Sequence, residues 1–395
     1  MNFVFVSPHF PGNCRLFCQS LRNNNVNVLG IGDQEYASFS DELKGALTDY
    51  YKVSSLGNYD ELVAACRYFT NRYGQIGAIE SLNEHWLTSD ACLRSEFNVP
   101  GMHADYLKKV KRKSLMKECY AGADVPFARH LLINGPDDLF AAKRFAEETG
   151  YPLVAKPDVG VGATTTFRLK DEEDLSHLLV NRLSEEFILE EFIPGNILTF
   201  DALVDRESNL LYATNHFLPV SLMDMVLKDS DVFYHSQKMS PDLLGIGQRT
   251  IKAFGIRERF VHLEFFRLYE DRRLLGKAGD IVGLEANLRP GGAYIPDMIN
   301  YAADIDIYQM WADMVCGKTV HSPDESRYFC GYVGRKFNKD YKHSHKDILS
   351  RYQEQIVLTK TVEDIFVRAM GKYVYIFRSY DMEDINQIAE YIMAE

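Results

Sequence analysis

The sequence lacks the marks of a membrane, secreted or disulfide-bonded protein. None of its apolar runs approaches the length of a membrane span. Residues 1–7 show no basic leader or small-residue cleavage site, so we expect no secretory signal and a cytoplasmic protein. The seven cysteines are odd in number, and the one close pair, Cys14 and Cys18, has no second pair at metal-ligand spacing. They predict reduced thiols.

An excess of positive charge is also missing. The formal net charge is −12, whereas a general nucleic-acid binder carries a basic patch. The one basic cluster, at 108–113, is too short to reverse this balance. This cluster is either a solvated helix face or the source of a lysine that reaches an anionic ligand. We therefore expect neither nucleic acid nor membrane as a partner.

Two common nucleotide fingerprints are absent as well. Pro8, Pro11 and Gly12 follow the first apolar strand where a dinucleotide-binding protein would have G-x-G-x-x-G. The glycine-containing segment after Lys156 does not end in Gly-Lys-Ser/Thr, so it is not a P-loop. The absence of the dinucleotide-binding motif therefore removes the main support for predicting a nicotinamide-dependent enzyme.

What the sequence does contain is a chain long enough for two or three domains, with an apolar content of 46%. Residues 1–105 alternate short apolar strands with helical patterns, which predicts a parallel sheet covered by helices. Residues 113–188 predict a small α+β unit. Residues 187–305 are rich in strands, with 187–193, 197–204 and 210–215 predicted as a meander. The tail, 311–395, mixes helices and strands.

The most informative segment is Glu285-Ala286-Asn287-Leu288-Arg289. In a strand, alternate residues share a face, so Glu285, Asn287 and Arg289 are predicted on one face and Leu284, Ala286 and Leu288 on the other. Glu264 lies in a second strand-like run, and the polar loop between the two runs predicts neighbouring antiparallel strands. Carboxylate and amide oxygens suit Mg²⁺, and arginine suits a phosphate or carboxylate. The alternative is a solvated polar face of a half-buried strand.

Two further segments are candidates for nucleotide binding. Lys156 ends a strand and precedes a loop of small and hydroxyl residues, which can bring backbone N–H groups close to a phosphate. A plain hairpin turn is the alternative. Glu190 and Glu191 stand in an apolar run before Pro194-Gly195. They mark either a strand edge that contacts an adenine ring or two exposed acids on an edge strand.

In combination and order, these segments resemble the ATP-grasp superfamily, over roughly residues 1–310. The resemblance implies an α/β and α+β fold with a biotin carboxylase-like architecture. Its predicted parts are an N-terminal parallel-sheet (pre-ATP-grasp) domain at 1–112, a small lid subdomain at 113–188, a central antiparallel sheet with the metal site at 189–310, and a C-terminal α/β module at 311–395.

The resemblance also implies roles for individual residues. Phosphate contacts fall to Lys113 and Lys156, with Gly160, Gly162 and Ala163 in the loop that covers the phosphates. Glu190, Glu191 and Ile193 match the segment that reads adenine. Glu264, Glu285 and Asn287 match the ligands of Mg²⁺ or Mn²⁺, and Arg289 matches the arginine that holds the acyl-phosphate or substrate carboxylate. Catalysis is thus assigned to Arg289 and Lys156.

One position departs from the family pattern. Many members carry a glutamate for the ribose hydroxyls two positions after the hinge glycine, where this chain has Ile197. Asp201 is a candidate substitute. Glu84 is a candidate for binding an amino group, whereas His216, His235 and His262 are predicted to be packed or hydrogen-bonded rather than catalytic.

The implied activity is an ATP-dependent ligase that activates a small carboxylic acid as an acyl-phosphate and joins it to an amine or thiol, releasing ADP and phosphate. A homodimer is common in this class. Two alternatives stay open at this point: a carboxylase-type enzyme that activates bicarbonate, and a non-catalytic ATP-binding module.

Overall fold

A computed structural model describes residues 1–160, 165–181, 185–219, 230–323, 327–362 and 367–395. Within these ranges the strands are β1 Asn2–Val6, β2 Asn27–Gly32, β3 Asp49–Lys52, β4 Ala78–Glu80, β5 His130–Ile133, β6 Leu153–Pro157, β7 Phe167–Leu169, β8 Phe187–Glu191, β9 Gly195–Val204, β10 Leu210–Leu218, β11 Val232–Gln237, β12 Arg259–Leu268, β13 Ile281–Asn287, β14 Phe329–Arg335, β15 Ile356–Thr361 and β16 Tyr373–Ser379.

The helices of the same ranges are α1 Cys14–Asn23, α2 Asp41–Ala46, α3 Tyr59–Tyr73, α4 Leu87–Glu96, α5 Ala104–Lys111, α6 Lys113–Gly122, α7 Leu139–Thr149, α8 Glu172–Asn181, α9 Pro241–Phe254, α10 Ile295–Ala303, α11 Ile307–Val315, α12 His345–Arg351, α13 Val367–Met370 and α14 Met382–Met393. Short 3₁₀ helices lie at Tyr36–Ser38 and Pro136–Asp138. None of the described helices is long and apolar enough to cross a membrane.

The N-terminal part forms a parallel sheet in the order β3-β2-β1-β4. Its central strand β1 is a continuous apolar run, and residues 3–6 are all buried. This is the pattern of a strand covered on both faces, because crossover helices pack on both sides of a parallel sheet. The predicted βαβ organisation is therefore confirmed.

A small antiparallel sheet follows, in the order β5-β8-β6-β7, with α7 and α8 in its apolar core. The carboxylate of Asp158, just after β6, accepts hydrogen bonds from the backbone N–H of Ser114 at 2.7 Å and from its hydroxyl at 2.9 Å. Since the first N–H groups of a helix lack partners within the helix, this contact caps α6 and fixes its start against the small sheet.

The remaining strands form one antiparallel sheet, the large sheet, in the order β13-β12-β9-β10-β11-β14-β16-β15. The prediction that 187–193 begins this meander is wrong, because β8 pairs with β5 and β6 of the small sheet. The chain passes from the small sheet to the large sheet at residues 192–194. Strands β8 and β9 are therefore consecutive in sequence but belong to different sheets.

The C-terminal strands β14, β15 and β16 continue the large sheet rather than forming a sheet of their own. The predicted metal ligands on β12 and β13 and the C-terminal strands thus belong to the same hydrogen-bonded sheet. The domain boundaries at 112, 188 and 310 stay predictions. The mixed parallel and antiparallel architecture that the sequence predicted is confirmed.

The packing of α9 against β9 gives a stability prediction. A Cβ atom at Gly247 would overlap the ring of Phe200, which is fully buried. We expect Gly247→Ala to lower the free energy of unfolding by about 1–2 kcal/mol, since overpacking outweighs the better helix propensity of alanine. Urea unfolding measures this. Gly245→Ala is the matched control, because its nearest neighbour is a flexible Arg249 nitrogen at 3.7 Å. Equal stability of the two variants would contradict the packing.

Candidate active site

A cavity of about 690 Å³ is lined by residues of both antiparallel sheets. Of the twelve site residues predicted from the sequence, two, Gly162 and Ala163, lie outside the described residues. The other ten all line this cavity: Lys113, Lys156, Gly160, Glu190, Glu191, Ile193, Glu264, Glu285, Asn287 and Arg289. The structure therefore gathers residues that are up to 176 positions apart in sequence (113 to 289) around one volume.

The predicted acidic pair lies on neighbouring antiparallel strands. Glu264 of β12 is directly opposite Glu285 of β13, and His262 is opposite Asn287. Residues in such positions have Cβ atoms about 4.5–5.5 Å apart. The two carboxylates and the amide are thus close enough to share a ligand.

Strand β13 departs from simple alternation in two places. The pairing register shifts between Glu264 and Phe265, so that Leu284 is an extra residue opposite β12. Leu284 consequently lines the cavity, whereas the sequence predicted it on the opposite face with Ala286 and Leu288, which are buried. Arg289 lies beyond the end of the strand, where Nη1 donates to the Pro290 carbonyl at 2.8 Å.

Two buried lysines share one carboxylate at the small-sheet side of the cavity. Glu190 Oε1 is 2.6 Å from Lys117 Nζ, and Glu190 Oε2 is 2.8 Å from Lys156 Nζ. Burial alone would raise the pKa of Glu190, but the two lysines outweigh it and lower the pKa to about 2. The pKa of Lys117 is lowered by burial against the opposing effect of Glu190. The single carboxylate of Glu190 therefore pairs with two lysines. One positive charge of this cluster is left without a counter-ion in it and faces the cavity.

Lys117 was not predicted from the sequence. It is 2% exposed and lines the cavity. The available signal was its spacing from Lys113, since residues four apart lie on the same face of a helix. Lys113 itself has Nζ 3.4 Å from Glu285 and donates to the Gly160 carbonyl at 3.1 Å. The two lysines on α6 thus reach the metal-type strand and the small sheet, respectively.

The two acids at the end of β8 have different surroundings because they point to opposite faces of the strand. Glu191 accepts hydrogen bonds from the backbone N–H and the guanidinium of Arg129, both at 2.8 Å. Neither glutamate is an exposed acid on an edge strand, since both are 4% exposed and β8 lies between two neighbours. Ile193, in the segment between the sheets, is also buried and lines the cavity.

A buried polar chain lies behind Glu264. His262 Nε2 is 3.3 Å from Glu264, and His262 Nδ1 is 2.7 Å from Asp201. The other Asp201 oxygen is 3.0 Å from His216 and accepts a hydrogen bond from Thr199. Burial alone would lower the pKa of His262, but Asp201 and Glu264 raise it to about 9. The charged form of His262 is therefore stabilised between the carboxylates of Asp201 and Glu264.

The hydrogen bonds of Asp201 exclude the suggested contact between its carboxylate and the ribose. Its side chain is fully buried, both oxygens have partners, and it does not line the cavity among the described residues. Ile197, at the position where many ATP-grasp members have glutamate, does line the cavity. The prediction that the histidines are packed or hydrogen-bonded agrees with the buried positions of His216 and His235.

Glu84 lies near Arg289 and Glu285 but is not among the described residues that line the cavity. It is buried, and within the described residues its Oε2 has no hydrogen-bond partner. Burial raises the pKa of Glu84 against the opposing charges of Arg289 and Lys111. Its role in binding an amino group stays a prediction.

The donor set fits a hard divalent cation. Glu264, Glu285 and Asn287 offer only oxygen atoms, the ligand type of Mg²⁺ and Mn²⁺. Across the described residues, no group of three or more His, Cys, Asp and Glu side chains could hold a metal, so the two carboxylates would be joined by the amide oxygen of Asn287 rather than by a third such side chain. Lys113 and His262 already compensate the two carboxylates, as a bound cation would.

Comparisons with known proteins agree with this arrangement. No family model matches the chain. An L-arginine-specific L-amino acid ligase of Bacillus subtilis is 25% identical over 248 residues, which cover 60% of this chain and 57% of that protein. The chain thus spans little more than half the length of this relative.

Two solved structures have the same architecture over nearly the whole chain. An L-amino acid ligase from Bacillus licheniformis superimposes with a TM-score of 0.73 at 13% identity, covering 98% of this chain and 96% of the other. The ADP complex of an N5-carboxyaminoimidazole ribonucleotide synthetase gives 0.72 at 12% identity, covering 98% and 95%. The chain therefore has the fold that these two structures share, and the ATP-grasp architecture predicted from the sequence is confirmed.

The Asp201–His262 pair predicts a pH-dependent stability. Because the pKa of His262 is raised, its contribution is complete below pH about 6.5 and is lost as the pH rises through about 9. We expect the wild type to lose on the order of 1–3 kcal/mol more unfolding free energy over this range than Asp201→Asn does. Urea unfolding at both ends of the range measures the difference. Glu207→Gln, in an exposed turn, is the control, and identical pH slopes for wild type and Asp201→Asn would refute the pairing.

Proposed function

We propose that this protein is an ATP-dependent carboxylate–amine (or thiol) ligase that forms ADP and phosphate. The observation that supports this best is the convergence on one cavity of buried lysines, an oxygen-donor set on adjacent strands and an arginine. The named ligase that matches in sequence and the ligase structure with the same fold support the same activity.

The nucleotide has a place in this cavity. Its triphosphate meets Lys113, Lys117 and Lys156, since ammonium groups on buried elements suit phosphate oxygens. The adenine lies against the segment from Glu191 to Ile193, which joins the two sheets and lines the cavity. The ADP-bound synthetase with the same fold supports nucleotide binding as the use of this volume.

Glu264, Glu285 and Asn287 would hold a divalent cation. When bound, it supplies positive charge that offsets repulsion between phosphate oxygens and an incoming carboxylate. The protein's own residues do the rest. Lys156 holds the transferred phosphoryl group, and Arg289 orients the acid and neutralises its charge.

The order of the chemistry follows from the leaving groups. Attack of the acid's carboxylate oxygen on the γ-phosphorus forms an acyl-phosphate and releases ADP. The amine then attacks the acyl carbon, phosphate leaves, and the amine loses a proton. Apolar side chains such as Phe266 and Ile193 line the cavity beside Lys156 and keep water scarce around this intermediate.

Two alternatives predict different behaviour. A bicarbonate-activating enzyme would show ATP turnover that depends on bicarbonate, and a binding module would bind Mg-ATP without turnover. The paired carboxylates argue against a module, because a site that has lost its catalytic function need not keep metal-binding residues on both β12 and β13.

Hydroxylamine trapping tests the proposal directly. Purified protein is incubated with Mg-ATP, hydroxylamine and one small carboxylic acid at a time, and hydroxamate and ADP are measured. A hydroxamate that depends on one acid is the expected result. If nucleotide binding is demonstrated separately and neither an acid panel nor bicarbonate stimulates ADP release, the ligase proposal fails.

We expect Glu285→Gln to reduce turnover by at least 10²-fold, because it removes a charge from the proposed metal site. Its unfolding free energy should change little, since the side chain lines the cavity rather than the core. ADP release and urea unfolding measure the two effects. The control is Glu270→Gln, an exposed residue in the loop that joins the same two strands. Normal turnover in Glu285→Gln would contradict the metal assignment.

A further inference from the structure

The cavity changes character across the large sheet. At one side, β12 and β13 contribute His262, Glu264, Glu285 and Asn287. Further strands contribute aliphatic and aromatic side chains to the same cavity, and this apolar end consists of Leu218, Val232, Tyr234, Tyr332 and Met370. Among the described residues, none of the charged side chains that line the cavity comes from β10, β11 or β14.

The apolar end is built as a fixed surface. Leu218 pairs with Ile197 across β10 and β9, and Tyr234 pairs with Tyr332 across β11 and β14. The two tyrosine rings stack with centroids 4.5 Å apart. The Tyr332 hydroxyl donates to the Met370 carbonyl at 2.7 Å, which ties α13 to the sheet. Side chains held in this way offer a preformed contact surface to a ligand.

The segment after Arg289 joins the two ends of the cavity. Gly292, Ala293 and Ile295 line the cavity, and the ring of Tyr294 stacks on Tyr332 with centroids 6.1 Å apart. An acid whose carboxylate contacts Arg289 can therefore extend its side chain along this segment towards the tyrosine pair.

Resting on the proposed function, we propose that the acid activated here is an amino acid with a large apolar side chain, which occupies the apolar end. Burial of that side chain supplies the selectivity, since each methylene removed from water contributes to binding. Small or charged acids lack this contribution, and a charged side chain would be left without a partner there.

Ala369 offers a direct test. It is exposed and lines the cavity beside Met370, so a tryptophan at this position fills the space without disturbing a buried core. The matched control is Arg368→Trp, because Arg368 is the exposed neighbour of Ala369 on the same helix and is not among the described residues that line the cavity. Its contact with Lys336 Nζ is through the backbone carbonyl, which the substitution retains.

The experiment compares hydroxamate formation from L-leucine, L-methionine and L-phenylalanine with that from L-alanine, L-aspartate and L-lysine. We expect kcat/KM for the large apolar acids to be higher by roughly tenfold or more. Ala369→Trp should remove most of this preference while the Kd of ATP stays unchanged, and Arg368→Trp should behave as the wild type. Preference for small or charged acids, or an unchanged preference in Ala369→Trp, would overturn the inference and leave the ligase activity standing.

A binding measurement separates the two proposals. Thermal-shift titrations with L-leucine and L-phenylalanine are made on protein loaded with magnesium and a non-hydrolysable ATP analogue. Saturable stabilisation that Ala369→Trp abolishes, without any hydroxamate, supports the apolar end and rejects the ligase. Absence of stabilisation together with absence of hydroxamate rejects both.

Discussion

The carboxylate of Glu190, shared by Lys117 and Lys156, is the interaction on which the candidate site depends. Two ammonium groups cannot be buried side by side without an anion, because desolvation and mutual repulsion both oppose it. Glu190 meets this requirement from β8, while the lysines come from α6 and β6. The three elements are thereby fixed around the cavity. Since one carboxylate balances only one of the two positive charges, this arrangement fits the triphosphate of the proposed function.

The metal-type strands depend on a similar balance. Glu264 lies beside His262, and Asp201 on the neighbouring strand β9 stabilises the charged form of His262. Such partners fix the position of the Glu264 carboxylate, as hydrogen-bonded groups do behind metal ligands in general. Lys113 plays the corresponding part for Glu285. A divalent cation bound by these carboxylates would therefore take over a balance of charge that Lys113 and His262 already provide.

Local pattern predicted much of this arrangement from the sequence. Strand alternation and a short polar loop sufficed to predict Glu264 opposite Glu285, because both are properties of neighbouring residues. Three features depend on contacts between segments that are distant in sequence, and a local sequence pattern cannot predict them. They are the pairing of β8 with β5 and β6, the extra residue Leu284 and the burial of Asp201. Lys117 is intermediate, since its helical spacing from Lys113 was visible but its partner Glu190 was not.

The continuity of the large sheet explains how a tail without a catalytic motif contributes to the site. Strand β14 carries Tyr332 into the same layer as Glu264, four strands away, so the C-terminal residues shape the cavity without approaching the charged groups. The polar end needs fixed charges, which constrain residue type at each position. The apolar end needs only volume and dryness, which many side chains provide. Under the proposed specificity, we therefore expect a change of acid preference to follow substitutions on β10, β11, β14 and α13 that leave the lysines and the carboxylates unchanged.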